Sequence, residues 1–384
     1  MSDHIPLEIQ LEIIKKLPIK PLIQFRSVSK PWKSTNDSSD FIADYTCSSA
    51  QLQHLLLISY GNPSSEKIYV SIVDDDTFPQ NLVSPTHVPA SVNLLRDSIV
   101  VGTSHGLVCL FGYYGNLGEF KCRTGTAMSV LWNPLIRKSV AIHVPDVDWL
   151  GGPAFGFGVC PATSDPKIVK INDTPTHKKM KGVTCSSRWQ VEVFSLSSRV
   201  WRSSLGSFPC NLVEFDWPHS QVSVDRFIYW FGVQKLAGGT EFRLIISFDL
   251  SSEEFGEIYL PDELALHDPM QLFLCKRSDS LAVLKKIIKR QQYEVWIPEN
   301  GVSKSFMKLF TVNMPNEFVH TTSLPLEFRR NGELMMAISD DTDDSEDLVV
   351  YEPLSEHIND LGIKGRCDSL VVSSYTESII LLDQ

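Results

Sequence analysis

A mainly β chain with a small N-terminal α module is predicted, and three observations predict it. Short apolar strands recur: QHLLLISY from Gln53, GLVCLFG from Gly106, PKIVKI from Pro166, RFIYWFG from Arg226, SLAVLKK from Ser280, ELMMAIS from Glu333 and SLVVSSY from Ser369. Their starts lie 53 to 60 residues apart until the last gap, which is 36. A second strand follows each of the first six, and five of these carry an aromatic at the matching place: Trp132, Phe194, Phe248, Trp296 and Tyr351. Residues before about Tyr45, by contrast, carry helical chemistry. Strand, strand, hairpin, strand at a spacing of about 50 residues is the signature of a β-propeller blade.

Residues 1–45 form the predicted helical module, 46–52 a short connector and 53–384 the β repeat. Ile5, Leu7, Ile9, Leu11 and Ile13 alternate, which alone reads as a strand. The flanking chemistry overrides this. Asp3 is a candidate cap, Pro6 suits a first helical turn, and Glu12 to Lys16 is a favourable i, i+4 pair. As a helix, Leu7, Leu11 and Ile14 share one face, while Ile9, Ile13 and Leu17 wrap toward another. Pro18 ends the helix, because a residue before proline avoids the helical region. A second short helix starts after Lys20, with Pro21 in its first turn and Leu22, Phe25 and Val28 spaced for burial. Trp32 stands in a polar stretch, and Phe41, Ile42 and Tyr45 close the module. The module is too short to be stabilised by its own burial, yet it is apolar around more of its circumference than one small core can use. The surplus packs on the larger domain or on another protein, and composition weighs these two equally.

In the repeat, a third strand carries a further anchor such as Trp201, Phe255 or Phe306. A blade alone leaves both faces bare; stacking blades radially covers them, and closing the ring removes open sheet edges. The short last gap assigns residues 369–375, with 379–382, to completing a blade begun upstream. Six units plus this closing strand are counted, and the spacing leaves a seventh blade open. Residues 263–274 come nearest to a helix after Tyr45 but contain Pro269.

Composition excludes several classes. Hydrophobic residues at 43% and charged residues at 21% are those of a folded chain. A net charge of −11 and a pI near 5.4 argue against nucleic acid, whose phosphates need clustered Lys and Arg. No apolar run approaches the roughly 20 residues of a membrane span. The N-terminus lacks the basic start of a signal peptide, and Glu8 and Glu12 interrupt its apolar run. The eight cysteines form no C-x-x-C pair and no zinc spacing with histidine, so reduced thiols and a cytoplasmic or nuclear location are expected, with no metal or cofactor.

Some motifs mislead. Gly102-Thr103-Ser104-His105-Gly106 fits a hydrolase nucleophile elbow letter for letter, but a strand follows where that motif needs a helix. It reads as a turn entering a blade strand, with Gly106 allowing close backbone approach. Gly156-Phe157-Gly158 lacks the third small residue of a dinucleotide loop. The acidic run 340–347 lacks the central Gly and terminal Glu of an EF-hand and reads as a solvated loop. Of the basic patches, 177–181 sits in an expected loop and 285–290 reads as an exposed edge strand, where Lys discourages aggregation.

The run IPLEIQLEIIKKLPIKPLIQFRSVSKPWKS, residues 5–34, resembles the F-box: an aliphatic-Pro start, a second Leu-Pro after one helix, an F-R-x-V-S-K core and a following Trp. Ile5 replaces the usual Leu, and Thr35-Asn36 stands where the family usually has two aliphatics. That resemblance implies a three-helix module that grips the Skp adaptor of an SCF ubiquitin ligase. It places the contact set at Ile5, Pro6, Leu7, Ile9, Ile13, Leu17, Pro18, Leu22, Val28 and Trp32. The remainder resembles the type 1 F-box-associated domain of plant F-box proteins. The matching pieces are SHGLVCL, LWNPLIRKSVAIHVP, GFGVCPATSDPKIVKI, VEVFSLSSRVWRSS, YEVWIPENGVSKSFMKLFTV and YEPLSEHINDLGIKG, in the family's order. Cys160 departs from the aromatic usual there.

Together the resemblances imply a non-catalytic receptor subunit of an SCF-type E3 ubiquitin ligase. The Skp adaptor would bring cullin and RING subunits, and the propeller would bind a target protein. Target contacts are expected on loops 74–81, 146–152, 172–188, 216–220 and 340–347, with Trp149, Trp217 and His219 as anchors. Two alternatives stay open: an F-box scaffold or regulator outside a ligase, and a propeller binding a small ligand. The last needs polar side chains converging in the central channel, and the blade strands named above offer few.

Overall fold

A computed structural model describes residues 5–38, 41–42, 44–45, 53–61, 66–79, 82–83, 87–115, 125–147, 153–173, 189–204, 206, 208–209, 212–215, 221–235, 241–299, 305–314, 321–340 and 344–381. Three helices open the chain: α1 (Leu7–Lys15), α2 (Ile19–Phe25) and α3 (Lys30–Asn36). Helical chemistry therefore prevails over the alternating pattern of α1. Pro6 itself is the N-cap and carries no side-chain cap; the expected cap, Asp3, lies outside the described residues. α2 starts at Ile19, earlier than expected, because Pro18 already supplies the φ of an N-cap. The expected Glu12–Lys16 pair is not among the described ion pairs. The neighbouring Lys15 reaches Asp44 (Nζ–Oδ2 2.9 Å), a surface pair of small worth. Ser29 caps α3, its hydroxyl accepting from Trp32 N at 3.3 Å.

Six sheets follow, each a blade. The first is β25 (Val371–Thr376), β1 (His54–Gly61), β2 (Lys67–Val73) and β3 (Leu82–Val83). The second runs β4 (Arg96–Ser104), β5 (Leu107–Tyr114), β6 (Thr126–Asn133) and β7 (Lys138–His143). The third runs β8 (Ala154–Val159), β9 (Pro166–Asp173), β10 (Trp189–Ser195) and β11 (Val200–Ser203). In the fourth, β12 (Leu212–Phe215) and β13 (Val222–Val224) both pair with β14 (Phe227–Lys235), followed by β15 (Glu241–Asp249) and β16 (Phe255–Tyr259). The fifth runs β17 (Leu272–Arg277), β18 (Ser280–Ile287), β19 (Gln292–Pro298) and β20 (Phe306–Asn313), and the sixth β21 (Thr321–Phe328), β22 (Leu334–Asp340), β23 (Ser345–Glu352) and β24 (His357–Arg366). The ring thus has six blades, and the closing strand completes the first.

Five blades carry four strands and the fourth carries five, where three per blade were legible. The strands named from sequence are the second and third, and their matching aromatics Trp132, Phe194, Phe248, Trp296 and Tyr351 are all buried between blades. The unrecognised strand is the first, which faces the channel, except in the first blade, where the closing strand β25 was legible. Residues 285–290 are not an edge strand: 285–287 end β18, which lies between β17 and β19, 288–290 form a 3-10 turn, and Lys286 Nζ donates to Ser323 O at 2.9 Å. The Gly102–Gly106 motif is a hairpin turn, as expected. His105 (φ 46) and Gly106 (φ 75) link β4 to β5, and a Cβ on Gly106 would stand 2.7 Å from Thr376 O.

Ring closure is antiparallel, with His54 opposite Thr376 and Ser59 opposite Val371. A second latch joins the first and last blades. Arg329 Nε meets Asp74 Oδ1 at 3.0 Å, both side chains almost fully buried, and Asp74 Oδ2 accepts from Arg330 N at 3.0 Å. The Arg329 guanidinium also lies 3.7 Å from the Phe78 ring centroid. Replacing Arg329 with Met leaves Asp74 buried without its counter-charge. The variant is expected to lose about 3–5 kcal/mol of unfolding free energy in urea titrations; a loss under about 1 kcal/mol would show the latch to be incidental.

Candidate interaction surfaces

The helical module is fastened inward on one side. Ile14, Ile19, Leu22, Phe41, Ile42 and Tyr45 belong to one apolar cluster that continues into Ile379, Ile380 and Leu381, just after β25. Tyr45 Oη donates to Leu17 O at 2.6 Å. Arg26 clasps Asp37 with two contacts, Nε–Oδ1 2.5 Å and Nη2–Oδ2 2.7 Å, tying the end of α2 to the end of α3. Trp32 Nε1 donates to Gln10 Oε1 at 3.0 Å, and Gln10 Nε2 donates to Ile5 O at 2.7 Å. Phe25 meets the Trp32 ring edge-on at 5.6 Å.

The other side is bare. Ile5, just ahead of α1, and Ile9 and Ile13 on it, spaced four apart, are 43, 51 and 51% exposed, and Val28 is 64% exposed. Pro6 and Pro18 are exposed, while Leu17 and Trp32 are half-buried. Each half-covered Ile leaves about 1 kcal/mol of burial free energy unused. Leu22 departs from its expected role: at 0% exposure it has no surface to offer a partner and supports the patch from beneath. The helix turns it inward, toward the ring, where burial is complete. The Leu7 side chain lies outside the described residues.

The loops expected to hold a target divide by strand direction. The inner strands all finish at one end of the ring. Val159 N, at the end of β8, donates to Ser104 Oγ at the end of β4 (3.1 Å), and Thr103 Oγ1 donates to Ser374 O (2.8 Å). The chain enters β1 at this end, so the helical module sits here. Loops 146–152, 172–188 and 340–347 leave from the opposite end, whereas 74–81 leaves beside the module. Asp74 in that last loop is committed to Arg329. Residues 216–220 fall between β12 and β13. Trp149, Trp217 and His219 lie outside the described residues, as does the connector 46–52.

Residues 120–382 match the family described as the F-box associated beta propeller domain, and residues 2–42 match the F-box domain. The chain belongs to the F-box proteins with an F-box associated propeller. The family match begins within the second blade, so β1–β5, which the closed ring requires, precede it. Relatives in Arabidopsis thaliana include F-box/kelch-repeat protein At3g23880, 25% identical over 94% of this chain and 98% of its own length. F-box protein CPR1 is 24% identical over 98% of this chain and 89% of its own.

One position inside the F-box departs from its surroundings. Asn36 is fully buried at the end of α3, and neither its amide oxygen nor its nitrogen has a partner among the described residues. An unbonded buried amide costs about 1–3 kcal/mol. Asn36→Leu is expected to recover that much, seen as slower amide hydrogen exchange in α1 to α3; faster exchange would mean that the slot cannot take the added methyl groups.

Proposed function

We propose that this chain is the substrate-recognition subunit of an SCF-type E3 ubiquitin ligase. The F-box docks on a Skp-family adaptor, which brings cullin and RING subunits, and the propeller holds a target protein. The observation that carries this reading is the uncovered aliphatic row of Ile5, Ile9 and Ile13 on a module whose other side is already spent on its own ring. A helical face with unused apolar area is what a partner helix bundle covers.

The chain's contribution is position rather than chemistry. Holding a target lysine close to a charged conjugating enzyme makes transfer effectively intramolecular. That gain needs a stiff link between the two modules, and the apolar cluster shared by the F-box and residues 379–381 supplies it. Three of the target-facing loops leave from the end away from the F-box, where a bound protein does not collide with the adaptor. The proposed adaptor face comprises Ile5, Pro6, Ile9, Ile13, Pro18 and Val28 at the surface, flanked by half-buried Leu17 and Trp32.

Co-purification of the full chain with a Skp-family adaptor tests this reading. Ile9→Asp with Ile13→Asp places two charges in the exposed row without touching the buried side. Adaptor recovery is expected to fall at least tenfold, consistent with a loss of about 1.4 kcal/mol or more, while the propeller stays folded by circular dichroism. Undiminished recovery removes the assigned face. Recovery of adaptor without cullin selects a role outside the ligase.

A further inference from the structure

The central channel holds polar groups with hydrogen-bonding capacity to spare. A cavity of about 260 Å³ opens there, lined by β4, β13, β17, β21 and β25 and by Gln221. It falls just under the roughly 300–1,000 Å³ of drug-sized ligand pockets. Two of the lining strands are bulged where they meet it: β4 between Val100 and Gly102, and β21 between Pro325 and Glu327. Bulges of this kind re-aim side chains next to sites.

Three groups there have donors to spare. Lys276 is the one Lys or Arg among the lining residues, and it makes no ion pair or hydrogen bond among those described. Gln221 spends its carbonyl oxygen on Phe157 N (3.3 Å), which turns its amide nitrogen over Gly102. A Cβ at Gly102 would stand 1.8 Å from that nitrogen, so glycine leaves the room the amide occupies. Glu327 lines the cavity, and its Oε1 is covered and unpartnered. Burial pushes the Glu327 carboxyl up to about 8. Lys276 and the backbone N–H groups of Ser374 and Phe328 pull the other way, and Asp74 adds to the rise. Glu327 in turn helps to raise the neighbouring Cys275 thiol, although burial is the larger cause there. Burial and then Lys276 lower His105, and burial, Arg330 and, more weakly, Lys276 lower His54 against a rise from Asp74. Near neutral pH, Glu327 therefore holds a proton it can donate. One ammonium, one neutral carboxyl, one amide N–H2 and the hydroxyls of Ser223 and Ser373 make a donor-rich set with a single positive charge.

We propose that this channel binds a small hydroxylated monocarboxylate, its carboxylate seated on Lys276 with Glu327 and Gln221 donating to it and its hydroxyls met by Ser223 and Ser373. The single charge matches a monoanion. A dianion would need a second cation, an amine would be repelled, and the volume excludes a peptide. This site is independent of the ligase reading, and either can fail without the other.

Isothermal titration of the full chain with glycerate tests it, with glycerol and inorganic phosphate as comparison probes. Glycerate is expected to bind, glycerol not to bind, and phosphate to bind more weakly. Lys276→Met is expected to weaken glycerate roughly tenfold or more. Wild-type affinity is expected to fall as pH rises through about 8, because Glu327 then ionises and repels the ligand. Glu327→Gln keeps a donor and is expected to flatten that pH profile. Gly102→Ala, which pushes Gln221 aside, is expected to weaken binding should Lys276→Met fail to fold. No binding of glycerate, equal affinity in a folded Lys276→Met, tighter binding of phosphate, or an unchanged pH profile in Glu327→Gln each overturns the proposal.

Discussion

The pairing of β25 with β1 is the constraint on which the rest of this molecule depends. Each blade has one face toward each neighbour, so an open ring would leave two apolar faces and two strand edges uncovered. The closing contacts span almost the whole chain: Ser71 Oγ lies 3.0 Å from Tyr375 Oη, and Gly61 N donates to Ser369 Oγ at 3.0 Å. Loop-closure entropy grows only with the logarithm of length, so sealing the ring with distant residues costs little more than sealing it with near ones. After the seal, the tail is put to further use. Asn133 Nδ2 donates to Ser378 O and Ile380 O, at 3.0 and 2.9 Å, which holds residues 379–381 where the F-box helices can pack on them.

That geometry explains which parts of the fold were legible in the sequence. The second and third strands of each blade are covered on both faces and read as apolar runs with a recurring aromatic. Trp132 and Phe248 are fully buried because two blades meet over them. The inner strand has blades on its flanks but the channel in front, so its sequence is mixed. Residues 96–104, RDSIVVGTS, and 321–328, TTSLPLEF, carry no apolar run longer than three residues and include bulges that break their alternation. An expectation of few polar residues in the channel followed from reading only the covered strands. The exception confirms the cause: β8, AFGFGV, is buried along its whole length, and it is the inner strand that contributes nothing to the cavity lining.

The F-box is legible for the opposite reason. Its short helices have faces that proline positions and spacing fix, and Ile9 and Ile13 turn outward. Leu22 was not separable from them, because spacing identifies an apolar face without saying which body covers it. In this protein the ring claims the face that carries Ile14, Ile19 and Leu22, and the face of Ile5, Ile9 and Ile13 is what remains. A module divided in this way is both anchored and available, and a receptor that must hold its cargo at a fixed distance from another subunit needs both properties.

Carboxylates elsewhere in the ring set Glu327 apart. Burial pushes Glu253 up, yet hydrogen bonds and charge from Arg202 and Lys167 overcome it and hold the group below its ordinary range. Glu294 behaves likewise between Lys308 and Lys285. Both contribute stability that is present above the unfolded value and lost as pH falls through the folded one. Glu327 has the reverse sign. Its folded value, about 8, lies above the ordinary 4.5, so the folded state holds more protons across that window and stability declines as pH rises through it. The ring closes through β25 and the Arg329–Asp74 latch, and the Glu327 carboxyl itself accepts from the backbone N–H of Ser374 on β25. The burial of Glu327 therefore serves the seam between β21 and β25 as well as the channel.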